Sequence, residues 1–199
     1  MGAGHSAAKT ALRDQVLAAR KRRPLEAAAA FSADVVDAAL AWQPVRSAAT
    51  VAAYVSVGSE PGTGLLLDAL AHAGKRVLLP VVLPGLDLDW AAYTGRDGLA
   101  PAVRGLLEPT APRLGREAIA RADVVLVPGT GVSLDGTRLG QGGGCYDRAL
   151  PRVLAGTPVA VVLYDDEVGL DVPADPHDVP VGFALTSSGV TALAATPRA

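Results

Sequence analysis

"DVVLVPGTGVSLDGTRLGQGGGCYDRAL", Asp123 to Leu150, decides the fold. Val124 to Val127 form an unbroken apolar run closed by Pro128 and Gly129, the pattern of a strand buried on both faces. A glycine-crowded segment follows, and then "YDRALPRVLAG" has the composition of a helix, strained by Pro151. Buried strand, glycine loop and helix in that order make an α/β unit. In such sheets ligands bind at the carboxyl ends of the strands.

The flanking chain repeats the alternation. Downstream, "PVAVVLY" reads as a strand, and "PADPHDVPVGFALT" as a Pro-rich loop leading to a last short strand. Upstream, Ser6 is placed to cap a helix through "AAKTALRDQVLAARKRR", with Leu12, Val16 and Ala19 near helical spacing and basic residues at its negative end. Pro24 opens a second helix, "PLEAAAAFSADVVDAALAW". "ATVAAYVSV" is a buried strand, "GSEPGTG" a turn, and "GLLLDALAHAG" a helix with Thr63 as its expected N-cap. "KRVLLPVVL" is a strand broken by Pro80 and Pro84, and "LDLDWAAY" alternates like an edge strand. Gly95 to Leu114 reads as a long functional loop, and "REAIARA" as a short helix. Trp42 is expected in the core, and Trp90 in the core or a pocket wall. The pattern predicts an α/β protein: three layers, α/β/α, around a mostly parallel sheet, as a single domain over residues 1–199.

Composition narrows the function classes. The net charge of −2 lacks the basic excess that binds phosphate backbones, so no nucleic acid is expected. Apolar runs are far too short for a bilayer span, and basic residues interrupt the N-terminus where a leader's apolar region would lie. No membrane association is expected, and the single cysteine, Cys145, fits a reducing, cytoplasmic setting.

The glycine loop carries the chemistry. Gly140, Gly142, Gly143 and Gly144 let a ligand approach backbone amides, and such a loop before a helix suits phosphate. Arg138 adds a cation, and Asp147 is a carboxylate suited to Mg²⁺. Glycine loops also serve merely as tight turns, and neither G-x-x-x-x-G-K-[ST] nor a complete G-x-G-x-x-G occurs, because Cys145 stands in the last position of the latter.

"VPGTGVSLDGTRLGQGGGCYDR", Val127 to Arg148, resembles the signature of the 5-formyltetrahydrofolate cyclo-ligase family. "KTALR", "VSVGSE", "GLLEP" and "VPADPHD" agree with it in order along nearly the whole chain. The resemblance implies a fold like that of sugar-phosphate isomerases and CoA transferases. It also implies a reaction in which 5-formyltetrahydrofolate and ATP give 5,10-methenyltetrahydrofolate, ADP and phosphate with Mg²⁺. The formyl oxygen takes the γ-phosphoryl group, N10 attacks, and phosphate leaves, with no covalent protein nucleophile. By position, Lys9, Arg13, Arg138, Leu139, Gly140, Gln141, Gly142, Gly143, Gly144, Cys145 and Tyr146 would contact ATP. Val55, Glu60, Gln141, Gly142, Gly143, Gly144 and Cys145 would contact the reduced folate, Asp147 and Asp178 would bind Mg²⁺, and Gly105, Glu108 and Pro109 could close over the substrate. The expected state is a monomer or weak dimer.

Three positions depart from the pattern. Cys145 stands where the family has a first tyrosine, Ser133-Leu134 precedes Asp135 in place of Ala/Gly-Phe, and Gly182 replaces an acid. "YDDEV", Tyr164 to Val168, reads as a solvated turn and His177 as a loop histidine. Two other readings stay open: an enzyme acting on another phosphorylated small molecule, and a non-catalytic nucleotide- or folate-binding homologue.

Overall fold

The computed structural model describes residues 2–194. Its centre is a seven-stranded sheet. The strands are β1 (Thr50–Ala52), β2 (Arg76–Val82), β3 (Leu88–Ala92), β6 (Val124–Pro128), β9 (Val159–Val162), β10 (Phe183–Thr186) and β11 (Gly189–Ala192), in spatial order β11-β10-β9-β6-β1-β2-β3. Pairings from β10 through β2 are parallel, and β11 and β3 are antiparallel edges. Two small ribbons lie outside it: β4 (Leu99–Pro101) with β5 (Leu107–Pro109), and β7 (Gly131–Val132) with β8 (Arg138–Leu139).

The helices are α1 (Gly2–Arg22), α2 (Leu25–Ala41), α3 (Gln43–Ser47), α4 (Gly64–His72) and α5 (Cys145–Ala149). Successive strand side chains point to opposite faces, so an all-apolar strand feeds two cores. Val124 and Leu126 pack with Phe31, Val35, Leu66 and Leu70 of α2 and α4. Val125 and Val127 face the other way, against Ile119, Tyr146, Ala149 and Leu150. The expected three-layer α/β/α arrangement is therefore present, with one layer made of short helices.

Several local expectations change. α1 starts before Ser6, whose carbonyl accepts a bond from the Thr10 hydroxyl. Thr63 sits at the N-cap position of α4 without capping it; its hydroxyl bonds the Tyr54 carbonyl instead. Pro24 precedes α2 rather than opening it. β2 runs through Pro80. Within it Leu78 accepts from the Ala53 N–H, and Pro80 pairs with Trp90 of β3. Pro80 lies past Leu78, the last residue of β2 in register with β1, so the β1–β2 pairing ends before it. The expected loop at Gly95–Leu114 is organised by the β4–β5 ribbon, "REAIAR" is 3₁₀, and the helix after the glycine loop stops at Ala149 before a 3₁₀ turn containing Pro151. β11 is an additional strand after the expected last one. Trp90 is fully buried in the core, whereas Trp42 is half-buried against Phe183 at 5.0 Å.

Candidate active site

The carboxyl ends of β1, β2 and β6 open into one cleft of about 700 Å³. Lys9, Arg13, Val55, Glu60, Arg138 to Asp147 and Asp178 all line it, so residues scattered from 9 to 178 in sequence meet at one place. Glu108 lines it too, whereas Gly105 and Pro109 do not. The apolar wall is Val55, Pro80, Val82, Leu86, Leu88, Leu106 and Leu107.

β7 and β8 present the glycine loop. Thr130 N–H donates to the Leu139 carbonyl at 2.7 Å, which fixes the chain just before Gly140. Gly142 and Gly144 have φ of +88° and +65°, a region that disfavours other residues. Two of the loop's carbonyls are tied back by side chains: Arg13 Nε donates to Gly140 O at 2.8 Å, and Arg148 donates to Gly143 O at 2.5 Å. Its amides are not. The N–H groups from Gly140 to Gly144 donate to no acceptor among the described residues. A row of unpaired amides beside cations is an anion-binding concavity. α5 is too short to supply a useful dipole, so the loop amides carry this property rather than a helix terminus.

Charges around the loop are pre-paired. Arg138 is almost wholly buried; it donates to Asp147 at 2.9 Å and to the Pro128 carbonyl at 3.3 Å. Its Nε is buried with no acceptor among the described residues. Lys9 Nζ lies 2.8 Å from Asp175 and 2.6 Å from Asp178. Burial opposes the lysine's charge, but the hydrogen bonds to the two carboxylates outweigh it and raise its pKa. The Lys9 hydrogen bond in turn lowers the pKa of Asp175. Asp147 and Asp178 thus face the same cleft, each against a protein cation. Two carboxylates without further protein ligands match what Mg²⁺ takes when phosphate oxygens and water complete its shell. No group of three or more potential metal ligands occurs among the described residues, which argues against a self-sufficient metal cage.

On the opposite wall, Glu60 accepts from Val57 N–H at 2.8 Å and from the Gln141 side chain at 2.7 Å, bridging the β1 side to the glycine loop. Burial raises the Glu60 pKa, against the bonds from Val57 and Gln141 and the charge of Arg20. Tyr54 and Tyr146 are buried and line the cleft, and neither hydroxyl has a partner among the described residues. Burial pushes both phenols far up, so they stay neutral and can donate. Cys145 is half-exposed in the cleft. Tyr54, Leu86 and Asp175 were not legible as site residues. Only Asp175 left a trace, as the first acid of an Asp-x-x-Asp turn in which its N–H donates to Asp178.

Comparison with known proteins fits this arrangement. The sequence profile of the 5-formyltetrahydrofolate cyclo-ligase family matches residues 5–187. The chain belongs to that family. A 5-formyltetrahydrofolate cyclo-ligase of Mycolicibacterium smegmatis is 48% identical over 155 residues, 74% of this chain and 78% of the relative. One of Escherichia coli K12 is 32% identical over 76% of this chain and 85% of its own. The NMR structure of Aquifex aeolicus 5,10-methenyltetrahydrofolate synthetase superposes with a TM-score of 0.79 at 27% identity, covering 96% of this chain and 95% of that one. Among the described residues of this cyclo-ligase family member, no helix is long and apolar enough to cross a membrane.

Proposed function

We propose that the cleft holds ATP against the glycine loop and a reduced folate against the β1–β2 wall. There the chain closes 5-formyltetrahydrofolate to 5,10-methenyltetrahydrofolate while ATP becomes ADP and phosphate. As a cyclo-ligase family member the chain is an ATP-dependent enzyme that forms a carbon–nitrogen bond. The observation that carries the placement is the glycine loop, with the Gly140 and Gly143 carbonyls tied back and its amides unpaired among the described residues, beside Lys9, Arg13 and Arg138.

The residues divide the work by chemistry. Loop amides, Arg138, Lys9 and Arg13 offer donors and positive charge where phosphate oxygens would lie. Asp147 and Asp178 would hold Mg²⁺, which neutralises phosphate charge when bound. Arg138 and Lys9, which these carboxylates hold, are the cations beside that site. Val55, Leu86, Leu88, Leu106 and Leu107 exclude water, and Glu60 accepts hydrogen bonds from a heterocycle's N–H groups. Tyr54 and Tyr146 provide hydroxyls with no competing protein partner among the described residues. Holding both ligands in line supplies the main rate advantage, so no covalent nucleophile is required of Cys145.

The test mixes protein, 5-formyltetrahydrofolate and Mg-ATP and follows the near-ultraviolet absorbance of the methenyl product. An ATP-dependent rise that needs Mg²⁺ and is lost in Asp147→Asn supports the assignment. A flat trace from folded protein that still binds ATP refutes it.

A further inference from the structure

Lys9, Arg13, Val16 and Arg20 recur at i, i+4, i+7 and i+11 and therefore share one stripe of α1. Lys9 and Arg13 reach the cleft, Val16 is buried, and Arg20 is sealed beneath the cleft without lining it. The guanidinium of Arg20 closes as a fork on Glu167: Nε donates to one carboxylate oxygen at 2.7 Å and Nη2 to the other at 2.7 Å. Side-chain exposures of 0% and 4% make this a dry ion pair. The same Nη2 donates to the Gly129 carbonyl at 2.8 Å.

Gly129 is the first residue beyond β6. Its neighbour Thr130 fixes Leu139, and the next carbonyl, that of Gly140, is held by Arg13. α1 is thus fastened to both ends of the segment that bears the glycine loop, by Arg20 at one end and Arg13 at the other. The two tethers differ in one respect. Arg13 lines the cleft where a ligand would sit, whereas the Arg20–Glu167 pair stays out of it and need not change.

We propose that Arg20, with Glu167, is a positioning residue for the nucleotide: it sets the placement of α1 over the glycine loop and so aims Lys9 and Arg13 at the phosphates. This rests on the nucleotide reading given above. At a rise of about 1.5 Å per residue, Lys9 lies roughly 16 Å along the helix from Arg20. A tilt of about 5° pivoting there moves Lys9 by about 1.4 Å, enough to spoil a positioned contact.

Arg20→Lys keeps the charge opposite Glu167 but loses the planar fork that also spans to Gly129. A second variant, Arg20→Met with Glu167→Gln, removes both charges and keeps a side-chain acceptor for the Tyr164 N–H that Glu167 now receives. Both are compared with Arg13→Ala by steady-state kinetics and by the upward shift in Tm that saturating ATP produces. The expected result is a KM for ATP raised about tenfold and a smaller ATP-induced shift, with the KM for 5-formyltetrahydrofolate within about twofold and the ligand-free Tm within about 4 °C. If Arg13→Ala raises the KM for ATP and the Arg20 variants do not, the positioning role is overturned and the nucleotide site stands. If none of the three changes it, the nucleotide reading fails and takes this inference with it. If both Arg20 variants fail to fold, the pair is a folding device and the proposal is wrong.

Discussion

Gly140→Ala is the sharpest probe of the loop. Gly140 does not have positive φ, so alanine carries no backbone strain there. The cost is steric: an added Cβ would sit 2.7 Å from Arg138 Nη1, well inside the 3.4–4 Å of ordinary contact. A flexible side chain would swing away, but this one has 4% exposure and is held by Asp147 and by the Pro128 carbonyl. Arg138 must therefore shift by roughly the shortfall in contact distance, which breaks the bond from Nη1 to the Pro128 carbonyl and strains the charge-assisted bond from Nη2 to Asp147, a combined loss of about 2 kcal/mol. For a chain of 199 residues that lowers Tm by about 6 °C. The assay is a double-mutant cycle in thermal unfolding with Arg138→Met as the second change, alongside the KM for ATP. The alanine should cost little once Arg138 is gone, and in the parent it should raise the KM for ATP about tenfold. An unchanged Tm and KM in Gly140→Ala would refute the reasoning, as would an equal stability cost in both backgrounds.

Other consequences follow from the same geometry. Leu86 is a non-glycine residue at φ +64°, so Leu86→Gly should raise Tm by roughly 2 °C in a thermal melt, even though it removes a side chain from the cleft wall. Glu60 has a pKa raised by burial, so the folded state binds its proton more tightly than the unfolded chain does. Its contribution is most favourable below the unfolded value near 4.5 and declines as pH rises through the folded pKa, so Glu60→Gln should gain stability relative to the parent from pH 4 to pH 7 in denaturant titrations. Asp165 behaves oppositely. Burial resists its ionisation, but bonds from Ser187, Thr186 and Ser188 hold its pKa down to about 2. That stability is present above the ordinary value of 3.8 and lost as pH falls toward 2, so Asp165→Asn should flatten the acid limb of the stability curve. Because the carboxylate is exposed, the effect should be at most about 1 kcal/mol.

Periodicity in the sequence was enough for the layered fold because strands buried on both faces leave unbroken apolar runs. Val124 to Val127 and Ala160 to Val162 are buried in the middle of the sheet. The glycine loop was equally legible, since four glycines in five positions serve few purposes other than turning tightly or admitting a ligand. Partnership was not legible, because it depends on what distant segments bring. "YDDEV" read as a solvated turn, yet Glu167 is buried against Arg20, whose basic neighbours pointed only to a helix end. The apolar spacing of Leu12, Val16 and Ala19 suggested an inward face for α1, but Ala19 is exposed and the inward stripe carries Lys9, Arg13 and Arg20. A helix laid across strand ends meets carbonyls and carboxylates rather than a hydrophobic layer, so its buried face is polar. Local sequence set the periods, the turns and the chemistry of the loop. Only the tertiary structure decided which charges neutralise one another, since burying a charge is tolerable only where the fold supplies its partner.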